Sequence, residues 1–214
     1  MADRIECYKQ YRSEGQELNE KLLDTLADDE LMEAAQFLGM TEEQGDEEFL
    51  HHEDELDMAV HSDFAIHEVE RDGTTALERY YQAERWDTQI EREILEALRE
   101  SYTSLFEIVN VFPDENVIRL HDVLEQEYSL IELTDLKLSQ TADTEALIFF
   151  RPVSLEEPTM TSGFMFPFEA EYKDHLVSVH QQVLDKTDSR PEAARRFYAF
   201  YKMYQKYGSL GFVM

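Results

Sequence analysis

Residues 105–123, LFEIVNVFPDENVIRLHDV, decide how this chain is read. Leu105, Phe106, Ile108, Val109 and Val111 form a β-branched and aromatic run, Pro113-Asp114-Glu115-Asn116 is turn chemistry, and Val117, Ile118 and Leu120 begin a second run. Runs of this kind bounded by Pro, Asp and Asn fit two strands joined by a tight connection. Upstream, apolar residues recur every three or four positions instead, so the chain changes from helix to sheet just after Tyr102.

Working forward, YSLIEL (128–133), ALIFFR (146–151) and TSGFMFPF (161–168) continue the strand pattern, with LEQE, SQTADTE and SLEEPT between them as loops. Five strands predict an antiparallel sheet or small barrel over 103–168. Two helices follow within 169–208, the second capped by Ser189 with Glu192 around Pro191.

Working backward, Ile5, Tyr8, Tyr11, Leu18, Leu22, Leu23 and Leu26 predict a helix over 3–27, and Asp28-Asp29 open a shorter one that stops at Gly39. The acidic stretch from Thr41 leads into a helix over 47–71, ended by Gly73. Thr75 has capping-box spacing to Glu78, and Asp87 caps the helix that carries Ile90, Ile94, Leu95 and Leu98. The expected architecture is a single α+β domain over 1–214: a helical half (1–102), a five-stranded antiparallel sheet or small barrel (103–168) and two C-terminal helices (169–208).

The composition bounds the environment. Forty-eight Asp/Glu against 19 Lys/Arg give a net charge of −29, yet 13 Phe, 11 Tyr and 43% apolar residues supply the core that an acidic disordered chain lacks. Such a charge repels itself unless salt screens it; near 1 M the Debye length falls to about 3 Å. A salt-rich cytoplasm is the expected location. The charge disfavours nucleic acid as a partner, because phosphate binding needs an excess of Lys and Arg. No apolar run is long enough to cross a membrane, and no leader or lipidation signature is expected. The single Cys7 excludes an internal disulfide and any Cys-rich zinc motif.

Residues 84–155 resemble a segment of conserved uncharacterised prokaryotic proteins. The likeness rests on Arg99-Glu100-Ser101 closing a helix, Leu105-Phe106-Glu107-Ile108, Leu120-His121-Asp122-Val123-Leu124, and a strand ending in Arg151. It implies a helix-plus-strands segment and no activity or cofactor; the cysteine-rich zinc motif of some longer proteins of this kind is missing. The composition is similar to that of haloarchaeal proteins.

Two constellations could carry chemistry. On a helical wheel of 47–71, Glu53, Asp57 and His67 fall within the apolar stripe of Leu56, Val60 and Phe64, and His61 lies at its margin; His51 and His52 face away. A carboxylate among apolar side chains must be paired, hydrogen-bonded or protonated. Two carboxylates one turn apart, joined by histidine, can also converge on a cation or share a proton. Glu53, Asp57, His61 and His67 are therefore either metal or acid/base candidates or, the preferred reading, acids tied to a neighbouring helix, with Arg79, Tyr80 and Tyr81 nearest in sequence. His121-Asp122 and Arg151-Pro152 read as isolated turn contacts.

The second constellation is a charge reversal: residues 172–214 carry seven bases and four acids. In RRFYAFYKMYQKYGSLGF, Phe197, Phe200, Tyr201 and Tyr204 should be buried, leaving Arg195, Tyr198, Lys202 and Lys206 as a basic, aromatic outer face beside the apolar end LGFVM. Such a face suits a protein partner or a second copy of the chain, and the alternative is that the helix docks on its own acidic body. The expectation is a non-enzymatic interaction or regulatory protein working through this helix. A metal-dependent or acid/base enzyme built on the 47–71 helix is the alternative.

Overall fold

The change from helix to sheet falls where the pattern puts it: the first long strand starts at Ser104. The computed structural model describes residues 2–45, 47–125, 127–185 and 190–209. Helices α1 (Ala2–Leu23) and α2 (Asp28–Leu38) open the chain, and α2 ends on Gly39, whose φ of 74° suits the residue without a Cβ.

The helix expected over 47–71 covers only Glu55–His67, because strands take both of its ends. Residues 41–50 are instead a hairpin, β1 (Thr41–Gln44) and β2 (Glu47–Leu50), paired antiparallel with Thr41 opposite Leu50. Gly45 supplies a left-handed turn residue at φ 73°, and a helix here would stack like charges one turn apart. Helix α3 (Glu55–His67) begins only after Asp54, whose side chain accepts the backbone N–H of Asp57 as an N-cap. A second small hairpin, β3 (Glu70–Arg71) and β4 (Thr74–Thr75), turns into α4 (Ala76–Gln82), with Thr75 capping as expected. Helix α5 (Gln89–Glu100) is capped by Thr88, one residue after the Asp87 that the spacing favoured.

The sheet has seven strands rather than five, and it is mixed rather than antiparallel. They are β5 (Ser104–Phe112), β6 (Val117–Asp122), β7 (Leu130–Thr134), β8 (Leu147–Phe150), β9 (Pro152–Ser154), β10 (Thr159–Thr161) and β11 (Phe166–Phe168), in spatial order β11-β8-β5-β6-β7-β10-β9. The β7–β10 pair is parallel. The two unexpected strands fold the SLEEPT loop into a short hairpin, too short for a two-residue period to register. The sheet curls into a half-barrel whose end strands, β11 and β9, are not paired to each other. A short helix, α6 (Leu138–Thr141), follows β7.

Both faces of this sheet are covered, which explains why β8 reads as the unbroken apolar run LIFF and is buried at every position. Leu105, Leu147 and Phe149 join Leu18, Leu22, Val60, Phe64, Leu95 and Phe197 in a cluster shared with the helices. Phe106, Ile108, Ile118, Leu120, Ile148 and Phe150 turn the other way and pack with Leu138 of α6.

The C-terminal helices are α7 (Lys173–Asp185) and α8 (Glu192–Tyr207). Pro191 stands at the N-cap of α8; the expected cap, Ser189, and the apolar end 210–214 lie outside the described residues. Helix α8 seats an aromatic ladder on the sheet: Phe200 stacks on Phe149 with ring centres 4.3 Å apart, and Tyr204 on Phe166 at 4.9 Å. Removing a fully buried ring of this kind costs about 3–5 kcal/mol. Phe200→Ala is therefore expected to lower the unfolding free energy in urea by about that amount. A loss below about 1 kcal/mol would mean that α8 contributes little to the core.

Candidate functional site: a cleft beside a buried arginine

Arg151 follows β8 directly and is 3% exposed. A guanidinium cannot shed its proton, so its burial has to be matched by acceptors. Both come from the end of α3. Arg151 Nε donates to Asp63 Oδ1 at 3.0 Å and Oδ2 at 3.3 Å, and Nη2 donates to Glu68 Oε1 at 2.7 Å. Burial opposes the charge, but the two carboxylates outweigh it and hold Arg151 firmly cationic. Arg151 is thus no turn contact; it joins the sheet to α3, and its carbonyl accepts the Ser162 N–H at 3.1 Å.

His67 lies one turn after Asp63. Burial, reinforced by the Arg151 cation and only partly countered by Asp63, drives its pKa down to about 3, so the imidazole is neutral at ordinary pH. Neither ring nitrogen has a hydrogen-bond partner among the described residues.

Asp63 and His67 line an open cleft of about 510 Å³ bounded by α1, α3, α5 and the β9–β10 hairpin. Leu22, Ile94, Leu98, Val153 and Met160 give it an apolar floor. Arg12, Gln16, Asn19, Glu20, Thr161 and Ser162 add polar groups to its walls. Gly15 of α1 holds the space open: a Cβ there would lie 3.6 Å from Met160 Cε, and a longer side chain would enter the cleft. Ser162 Oγ is buried without a hydrogen-bond partner. His67 also lines a smaller cavity of about 200 Å³, together with Glu68, Arg151 and Thr103.

The four histidine and acid candidates from the sequence do not gather at one point. Glu53 is exposed and precedes α3, and its backbone N–H donates to Asp57 Oδ2 at 3.1 Å. Asp57 Oδ1 accepts the Tyr201 hydroxyl of α8 at 2.9 Å, so a tyrosine does tie this acid, but from the last helix. Arg79, Tyr80 and Tyr81 turn instead to Glu30, Glu91 and Glu96. His61 Nε2 donates to the Leu31 carbonyl at 2.8 Å, and burial lowers its pKa. His51 is exposed as expected, whereas His52 packs its ring 5.1 Å from that of His61. Only His67 reaches the cleft. Among the described residues, no three His, Cys, Asp or Glu side chains are grouped so as to hold a metal ion.

The outer face of α8 is largely engaged within the chain. Arg195 Nη1 donates to the Val183 carbonyl of α7, and the Tyr198 ring lies 4.9 Å from Phe37 of α2. Lys202 bonds Gln205 at 2.9 Å and lies against Gly39. Of the four contact candidates only Lys206 is exposed. Asp122, read as part of an isolated turn signal, is buried and accepts from Ser104 Oγ, Tyr102 Oη and the Leu124 N–H.

Sequence reasoning missed Asp63 and Ser162. The available signal for Asp63 was its four-residue spacing from His67; Ser162 carried none.

Over residues 2–213 the chain matches DUF7986, a family of unknown function, and it belongs to that family. Membership in a family of unknown function is consistent with the likeness of residues 84–155 to conserved uncharacterised proteins. No curated protein and no solved structure matches it.

Arg151→Met strands two buried carboxylates and should cost about 3–5 kcal/mol in urea unfolding, whereas adding Asp63→Leu and Glu68→Leu should recover more than half of that loss. His67, depressed in the fold, binds its proton more readily when unfolded, so its contribution is complete above pH 6.5 and is lost as pH falls toward 3. His67→Gln should therefore reduce the slope of stability against pH between 4 and 6 by about one proton, roughly 1.4 kcal/mol per pH unit. An unchanged slope would mean that His67 titrates normally.

Proposed function

We propose that this DUF7986 chain is a non-enzymatic, small-molecule-binding protein of regulatory type, and that the cleft between α1, α3, α5 and the β9–β10 hairpin is its site. The observation that carries this reading is the conjunction of a cavity of about 510 Å³ on an apolar floor with His67 and Ser162, two polar side chains without partners. Cavities of about 300–1,000 Å³ with a few convergent polar groups are the usual form of small-ligand sites. Ser162, His67 and Asp63 all border it, but Asp63 gives both carboxylate oxygens to Arg151. The imidazole therefore lacks the carboxylate that orients a general base, and binding is favoured over nucleophilic catalysis.

In this reading α8 serves first to build the core, and a partner contact through it narrows to the surface around Lys206. The chain acts as one folding unit in a salt-rich cytoplasm. Its net charge of −29 then makes folding salt-dependent.

Screening a metabolite mixture by ligand-observed NMR tests the site. Compounds that bind the native chain should lose at least tenfold in affinity for Gly15→Leu, a change that favours the helix while filling the cleft. Undiminished binding to that variant would remove the cleft as the site. Independently, the thermal midpoint should rise steadily between 0.1 M and 2 M KCl; a flat or falling midpoint would contradict the salt-rich setting.

A further inference from the structure

The groups around the cleft limit the chemistry of what can enter it. Two of the three charges that line it have partners: Asp63 is held by Arg151, and Arg12 Nη1 donates to the Thr161 carbonyl at 2.9 Å and to its Oγ1 at 3.4 Å, while the third, Glu20, is exposed to solvent. An anion would leave water without gaining a free counter-charge, and a cation would find only Glu20, whose exposed, hydrated carboxylate repays little of the desolvation.

Away from the exposed Glu20, what stands free is uncharged. Ser162 Oγ can donate and accept, and the neutral His67 ring has one donor and one acceptor nitrogen. A buried hydroxyl without a partner costs about 1–3 kcal/mol, which a ligand returns once the Ser162 side chain turns out to complete the bond.

The floor selects among uncharged ligands. A polyol would press hydroxyls against Leu22, Ile94, Leu98, Val153 and Met160, and each would lose its hydration. A flat heterocycle separates the two requirements, because its faces are apolar and its edge carries the polar atoms. Its ring face can also meet the Met160 thioether, a favourable contact.

Resting on the reading of the cleft as a binding site, we infer that the ligand is an uncharged nitrogen heterocycle with an amide-like edge, the N–H/C=O pair of a nucleobase-type ring, recognised by Ser162 and His67 over the Met160 floor.

Isothermal titration of the full chain at pH 7 in high salt tests this with four probes: hypoxanthine, its anionic counterpart orotate on a similar ring scale, the polyol myo-inositol and the cation benzamidine. Hypoxanthine is expected to bind at least tenfold more tightly than the other three. Ser162→Ala and His67→Phe should each weaken it about tenfold, the loss expected for one hydrogen bond. Gly15→Leu should abolish it. The melting temperature of each variant, taken alongside, separates lost contacts from lost folding, and Ser162→Thr, which keeps the hydroxyl, should retain more affinity than Ser162→Ala. Tighter binding of orotate, inositol or benzamidine that Gly15→Leu abolishes would overturn the ligand class and leave the cleft as the site. Hypoxanthine binding that neither Ser162→Ala nor His67→Phe weakens would overturn the recognition pair. Absence of binding by all four probes, or binding that Gly15→Leu leaves intact, would overturn both the class and the cleft.

Discussion

The guanidinium of Arg151, shared between Asp63 and Glu68, is the interaction on which the candidate site depends. It fixes the last turn of α3 against the end of β8, and that placement brings His67 and Asp63 to the cleft wall. Replacing a buried ion pair with apolar groups often leaves stability unchanged, so stability alone is a weak reason for the triad. Its consequence for the site is more specific. The cation beside His67 joins burial in keeping the imidazole neutral, and Asp63, spent on Arg151, leaves that imidazole without an acceptor for its N–H. One pairing thus sets both the charge and the vacant hydrogen-bonding capacity of the cleft.

A second constraint sits at the far end of α3. Tyr201 of α8 reaches Asp57, while Phe200 and Tyr204 on the same helix stack on Phe149 and Phe166. The two stretches that the sequence marked as separate candidates, the acid/histidine helix and the basic aromatic helix, therefore meet through a hydrogen bond that belongs to the fold. The aromatic content that distinguishes this chain from a disordered polyanion is concentrated in that contact, where six phenylalanines and tyrosines of α8, β8 and β11 pack ring against ring.

Features set by local chemistry were legible in the sequence. The stop at Gly39, the Thr75 cap, the switch to strands after Tyr102 and the buried face of α8 each follow from a few neighbouring residues. Features set by distant pairing were not. The β9 and β10 strands are three residues each, and β10 finds its parallel partner in β7 only through tertiary contact. Arg151 stands before Pro152 and looks like a turn residue, because its partners lie 88 and 83 positions away. Glu53 was assigned to the apolar stripe on the premise that the helix covered it; Asp54 caps the helix one residue later, and Glu53 falls outside. His67 was on the candidate set for the wrong company: its neighbours are Asp63 and Arg151, not Glu53, Asp57 and His61.

The surroundings of Arg151 keep His67 neutral and unpartnered in the cleft. Long-range ¹H–¹⁵N correlation spectra of the His67 ring, followed from pH 7 down to pH 4, test it most directly. The expected signature is that of a neutral imidazole throughout that range, consistent with a pKa of about 3, and no transition near the ordinary histidine value. A titration centred near pH 6.5, with both nitrogens protonated below it, would contradict the account.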